Sequence, residues 1–478
     1  MILSLLLSLS VVVLIGLTLV GVLWPREVSV GAQLAIKLCL AVGIGFAILT
    51  CVYFLQLSLF GPSRRAFIAT QIALLAVLLA LSFFKMRSRR GSLQNGAVEE
   101  QPSFKLRRIL SVVFIVALVS STVAFIFISL KQPHGEWDAW AVYNMKARFL
   151  FRAGDHWKDL FSEQMNWAGQ DYPLLLPAGI AALWTSIGRE VVAVPALVAV
   201  LFTLASIGIV TSAVHALRTS SQGFLAGLIV VCTPFFINHG ANQYSDIPIG
   251  FFFLATFVFL HFHDRFKQSG NGFLVLAGLT TGLSAWTKNE GLLFILAILT
   301  SRLVVAMKKK ELNEYARHLR FYLTGLAPIL LIVIYSKITL AARNGLLFST
   351  EGPTLAQKLL NFSRYFTIAD TVVTHALTFG SWTVSIPPLL LFYLLLVGTG
   401  VKQEDRPSVV GSGLALAIML AGYSAVYVFT PRDVYWHVVT SIDRLFSQLW
   451  PTLVFVLFLV VRTPEEALAK KGIASAPA

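Results

Sequence analysis

Long apolar runs separated by short polar intervals dominate this chain. Runs long enough to cross a bilayer, or nearly so, lie at about residues 2–23, 31–60, 66–84, 109–130, 191–217, 222–238, 247–263, 273–286, 290–306, 321–341, 384–401, 409–429 and 447–461. A helix rising 1.5 Å per residue needs about 20 apolar residues to span the hydrocarbon. The pattern therefore predicts an all-α polytopic membrane protein with about 13 transmembrane helices. The first run lacks a basic leader and a small-residue cleavage site, so it reads as a retained span, with a removed signal peptide as the alternative. The first long polar interval after a hydrophobic run is 131–173, in which Glu136, Asp138, Lys146, Arg148, Asp155, His156 and Asp171 lie among tryptophans. It predicts interfacial amphipathic helices folded over one membrane face.

Composition agrees: of 478 residues 56% are hydrophobic and 13% charged, and a soluble fold of that make-up would aggregate. The formal charge of +15 comes from short basic clusters between apolar runs, which is how topology is written in a bilayer, and it argues against nucleic-acid binding. The most basic connection, 85–108, is assigned to the cytoplasm. Alternation then puts Arg218, the stretch HFHDRFKQ, the stretch MKKKELNEYARHLR, Lys402 to Arg406, and Lys470 and Lys471 on the same side; Arg64 and Arg65 dissent by landing outside. The outward set is loop 131–190, the turn ending at Asp246, the turn WTKNEG, loop 342–383 and segment 430–446. Cys39, Cys51 and Cys232 all lie in apolar runs, leaving no disulfide framework or metal-type spacing. The expected organisation is accessory helices at 1–84, a basic cytoplasmic linker at 85–108, a catalytic core at 109–345, C-terminal helices with an outward polar helix at 346–462, and a cytoplasmic tail at 463–478.

Nearly every chemically capable residue falls in the outward set. In HGEWDAWAVYNMKARFLF, Asp138 precedes an amphipathic helix with Trp140, Val142, Phe149 and Leu150 set against Asn144, Lys146, Arg148 and Arg152. A helix cap is the plain reading of Asp138; a general base made more basic by neighbouring Glu136 is the functional one. In QDYPLLLPAGIAALW, Pro173 and Pro177 bracket an interfacial or re-entrant piece, and Asp171 reads as a turn terminator. Asp246 opens an otherwise uncharged helix, where the dipole alone favours a carboxylate. The hairpin LSAWTKNEGLLF joins two short helices through Lys288, Asn289 and Glu290. Near the C-terminus His437, Ser441, Arg444 and Gln448 fall on one helical stripe that can donate repeatedly to a phosphate or sugar, with Arg432 as a further contact; a wetted interfacial face is the alternative. His261 and His263 point to different helical faces and suggest no metal site, and Asn361 begins an outward sequon.

The order and sidedness of GEWDAWAVYNMKARFLF, DYPLLLP, NQYSDIPIGFFFLA and GLTTGLSAWTKNEG resemble the GT-C superfamily of integral-membrane glycosyltransferases, in the branch of protein O-mannosyltransferases and lipid A aminoarabinose transferases, over roughly residues 109–345. The resemblance implies an inverting transfer from a polyprenyl-phosphate sugar to an acceptor hydroxyl, in a bacterial inner membrane with the site facing the periplasm. It implies Asp138, with Glu136 as its rival, as base, Asp246 as second carboxylate, and Lys288 as the hairpin lysine. Trp137 separates Glu136 from Asp138 where many relatives carry adjacent acidic residues, which leaves the choice of base open. Arg444, Lys288, His437 and Arg432 are the candidates for the donor phosphate, and Trp137, Trp140, Asn144, Lys146, Arg148, Tyr172, Glu290 and Gln448 for other substrate contacts. No cofactor is required, and a divalent cation between Asp138 and Asp246 is left open. The partners are the lipid-linked donor, a lipid-linked, glycan or protein acceptor, and membrane lipid, with no nucleic acid. A transporter or lipid flippase is the alternative class, disfavoured because no internal repeat appears and the charges gather at one face.

Overall fold

The computed structural model describes residues 2–87, 94–95, 104–267, 270–340 and 354–470. Most of the basic connection 85–108, much of the start of loop 342–383, and Lys471 lie outside these residues. Four long helices come first: α1 (Ile2–Leu23), α2 (Gln33–Phe60), α3 (Arg64–Arg87) and α4 (Phe104–Lys131). A polar segment follows, with a π-helical turn at Ala139–Tyr143, α5 (Asn144–Arg152), two 3-10 turns at Gly154–Phe161 and Glu163–Ala168, and α6 (Leu175–Ile187). The chain continues through α7 (Ala193–Leu217), α8 (Ser220–Val231), α9 (Pro234–Ala241), α10 (Asp246–Arg265), α11 (Gly272–Thr287), α12 (Glu290–Lys309) and α13 (Leu312–Thr339). It ends with α14 (Leu355–Leu360), α15 (Phe362–Thr378), α16 (Ile386–Val397), α17 (Arg406–Phe429), α18 (Val434–Val460) and α19 (Pro464–Lys470).

Among the described residues ten helices are long and apolar enough to cross a membrane. The three remaining expected spans are shorter or broken. α8 and α9 meet at a 60° bend, where Pro234 forces Thr233 out of the helical region (ψ 103). α11 has 16 residues and α16 has 12. In α6, 11 of 13 residues are buried, so it is a core element rather than an interfacial one.

Polar contacts sort the connections into two ends. At one end Arg218 donates to the carbonyls of Gly400 and Val461 (both 3.0 Å), Arg265 pairs with Glu404, and Lys85 donates to the Val22 carbonyl at 2.8 Å. At the other, the Glu136 amide donates to the Asn242 carbonyl (3.2 Å), Asn289 to Asp171 (2.8 Å), and Arg444 to Asp138 (2.6 Å). The dissenting Arg64 sits at this second end for a structural reason. Its guanidinium donates to the carbonyls of Thr185, Ser186 and Ile187 at 3.1–3.3 Å and so caps the C-terminus of α6.

The three N-terminal helices share one hydrophobic cluster with α6, α7, α10 and α11. Trp286 of α11 donates to Thr50 of α2 at 3.0 Å, and Phe54 packs on the same indole. α11 also lies against α13 through Gly278 and Gly325, where an added Cβ would meet the Tyr322 and Val275 carbonyls of the facing helices. That close approach fixes the turn between α11 and α12, which carries Lys288.

Candidate active site

Asp246, the first residue of α10, is fully buried. Its Oδ1 accepts from Lys288 Nζ (2.8 Å) and Gln448 Nε2 (2.7 Å). Its Oδ2 accepts from Arg444 Nε and Nη2 (3.2 Å each), and lies 3.1 Å from His239 Nε2. An ionised carboxylate offers about four lone-pair sites, so Asp246 is saturated and cannot also take a proton from substrate. It is a buried anchor for two cations.

Lys288 terminates α11 in extended backbone and reaches Glu290 at 2.9 Å as well as Asp246. Burial works against its charge, but Asp246 and Glu290 outweigh that and hold the ammonium well above the ordinary lysine range. Arg444 projects from the third turn of α18. Its Nη2 bonds Asp138 Oδ2 at 2.6 Å and Asp246 Oδ2 at 3.2 Å, and its guanidinium lies 4.7 Å from the Tyr244 ring centroid. Tyr423 donates to Gln448 Oε1 at 2.8 Å, which turns that amide's N–H groups toward Asp246. The cluster is graded: Asp246 is fully buried, whereas the Asp138 and Arg444 side chains are 27% and 26% exposed. The Asp138–Arg444 rim is the accessible part of the cluster.

The carboxylate of Asp138 makes no cap contact with the helix it begins, so its partner is Arg444. The π-helical turn that follows inserts one residue per turn and rotates the downstream side chains. Of the polar stripe of α5, Asn144 and Lys146 point inward, whereas Arg152 is 61% exposed. Asn144 donates to the His134 carbonyl (3.1 Å) and Gln243 (3.2 Å), and Lys146 donates to the Gly169 carbonyl (2.6 Å); both are buried structural groups rather than substrate contacts. Arg148 is spent on Glu190 at 2.8 Å. Glu136 accepts from Gln132 at 2.9 Å.

Along the α18 stripe His437 and Gln448 are buried and Ser441 and Arg444 half-buried, and only its lower half reaches the site. Arg444 and Gln448 join the cluster. Ser441 bonds Tyr427 (2.8 Å), and His437 bonds Thr430 (2.9 Å), away from the two carboxylates. Arg432 is exposed, with its guanidinium 5.5 Å from the Trp436 ring. Tyr172 is half-buried, and burial pushes its phenol up to about 12, with Lys288 and Glu290 acting on it in opposite directions. Trp137 and Trp140 are exposed beside Asp138, edge to face at 4.7 Å.

Three contributors carry little signal in the sequence. His239, near the end of α9, lies seven residues before Asp246, a spacing that could have flagged it. Asp171 is more than a turn terminator: Asn289 bonds its carboxylate, Lys337 bonds its backbone carbonyl, and Lys337 also bonds Asn289 (2.5 Å), tying the Lys288 turn to the loop and to α13. Tyr423 orients Gln448.

Between Asp138 and Asp246, where the sequence leaves a divalent cation open, Arg444 donates to both carboxylates. Among the described residues no group of three or more His, Cys, Asp or Glu side chains could hold a metal ion.

Residues 171–335 match the family of dolichyl-phosphate-mannose-protein mannosyltransferases. The matched segment contains Asp171, His239, Asp246, Lys288 and Glu290; Asp138 and Arg444 lie on either side of it. None of the curated proteins and none of the solved structures compared with the chain matches it. With the apolar helices, this defines a membrane glycosyltransferase. The match supports the resemblance to GT-C glycosyltransferases that the motif order carries.

Proposed function

We propose that the protein is an inverting glycosyltransferase that moves a sugar from a polyprenyl-phosphate donor to an acceptor hydroxyl. The observation that carries this reading is the Asp138–Arg444–Asp246–Lys288 chain of contacts, which sets one accessible carboxylate beside two cations. In the reaction the acceptor oxygen bonds the anomeric carbon and gives its proton to Asp138. The bond from that carbon to the phosphate oxygen breaks, and its electron pair leaves on polyprenyl phosphate, whose charge Arg444 and Lys288 offset. A single displacement inverts the anomeric centre. Because the leaving group is already a lipid phosphate, no nucleotide site is needed.

The orientation belongs to the same reading: the cluster faces the periplasm from the inner membrane. Its support is the Lys/Arg bias of the loops, with the outward Arg64 explained as a helix cap. The test is transfer from a panel of radiolabelled polyprenyl-phosphate sugars by purified protein in lipid, with the product anomer assigned by NMR. Transfer with inversion supports the proposal. Retention, or lipid movement across the bilayer without any transfer, overturns it.

A further inference from the structure

Trp137 and Trp140 are 62% and 43% exposed, and Trp167 and Trp436 are 61% and 51% exposed, whereas Trp24, Trp157, Trp184, Trp286 and Trp450 are buried. Tryptophan at a membrane face is usually an anchor at headgroup depth. Trp137 and Trp140 sit differently, because residues 133–144 are stitched onto the 242–245 turn in front of α10. Glu136 N–H donates to the Asn242 carbonyl (3.2 Å), Gln243 to the Pro133 carbonyl (3.2 Å), Asn144 to Gln243 (3.2 Å), and Tyr143 bonds Ser245. The turn that carries both indoles, with Asp138 between them in sequence, is thereby fixed at the site's edge. Next to Trp137 in sequence is Glu136, whose carboxylate accepts from the exposed Gln132 amide at 2.9 Å. Flat aromatic faces beside planar amide and carboxylate groups suit a pyranose, whose C–H face packs on indole while its hydroxyls exchange paired hydrogen bonds with the polar groups.

We infer that Trp137 and Trp140, with Gln132 and Glu136, form the acceptor subsite, and that the acceptor is itself a sugar ring, on a glycolipid or glycan, and not a serine or threonine side chain. This rests on the transferase reading, because it takes the hydroxyl facing Asp138 to be the nucleophile. It names what carries that hydroxyl.

The experiment separates binding from turnover. Saturation-transfer NMR with methyl pyranosides, on protein in lipid nanodiscs, reads ring contact without any need for catalysis. Wild type is expected to show ring-proton saturation, and Trp137→Ala to lose it, with Trp137→Phe restoring most of it and both variants melting with the wild type. In the transfer assay Trp137→Ala raises the KM for a glycolipid acceptor on the order of tenfold, with the donor KM unmoved. Saturation by pyranosides with no transfer from any donor would leave the sugar subsite standing and sink the transferase reading. No saturation in wild type, or transfer to a serine/threonine peptide in preference to a glycolipid, overturns the inference. So does an equal loss for all acceptors together with a lowered melting temperature, which is the result an anchoring pair would give.

Discussion

Arg444 and Asp138, 306 positions apart in sequence, meet at 2.6 Å, and the same nitrogen of Arg444 reaches Asp246 at 3.2 Å. The proposed base is therefore held by the cation assigned to the leaving group. When a donor phosphate draws Arg444 to itself, Asp138 is released toward the acceptor. Donor must then bind before acceptor. In steady-state kinetics a dead-end acceptor analogue should be uncompetitive against donor; competitive inhibition, or a random-order pattern, would count against the release step.

Arg444→Lys keeps the charge but loses the fork that spans two carboxylates. The expected loss in kcat is roughly 100- to 1,000-fold, of the size seen when one oriented transition-state donor is removed. Single-turnover rates at saturating donor check it, and retention of more than a tenth of the wild-type rate would show that Arg444 only holds the fold together.

Asp246 and Asp138 should differ in kind. Asp246→Asn leaves Lys288 and Arg444 poorly compensated in a buried place, a change that typically costs about 3–5 kcal/mol, so the melting temperature in detergent should fall by many degrees. Asp138→Asn, at the open rim, should melt close to wild type. Equal melting of the two variants would remove the distinction between anchor and base.

Lys146 gives a pH prediction. Burial pushes its ammonium down to about 7, with Asp171 opposing and Lys337 assisting. Between about pH 7 and the ordinary lysine value of 10.5 the unfolded chain holds a proton that the folded chain has shed. Stability from this group therefore rises with pH across that window and is flat below it, where both states are protonated. Lys146→Met should flatten that slope and raise the melting temperature near pH 6. An unchanged slope would show that Lys146 is not the group responsible.

Arg444 bridges Asp138 and Asp246, and on the proposed mechanism its guanidinium serves there in place of a divalent cation. Transfer should survive chelation with EDTA. Loss of activity that is restored by added Mn²⁺ or Mg²⁺ would contradict this arrangement.

The spans and the four central residues Asp138, Asp246, Lys288 and Arg444 are legible in sequence because charge is scarce in an apolar chain and each carries its cost in plain view. Their partners are less so. His239, Asp171 and Tyr423 look like ordinary turn or helix residues until the fold brings distant segments together. The polar faces of α5 and α18 mislead for a related reason. Helical periodicity shows which residues share a side but not whether that side meets water or buried polar partners, and for Asn144, Lys146 and His437 it meets the interior. Arg64 is the opposite case: as a loop charge it contradicts the topology, and only the three carbonyls at the end of α6 account for it.

The proposed mechanism turns on Asp138 removing the acceptor proton while Asp246 does not. The decisive experiment is the single-turnover transfer rate of Asp138→Asn in lipid, at saturating donor and acceptor, with donor binding and melting temperature measured on the same sample. Bound donor, a wild-type melt and a rate lower by a factor of about a hundred or more are expected. A rate within a few fold of wild type would be incompatible with Asp138 as base and would move that role to another group at the rim.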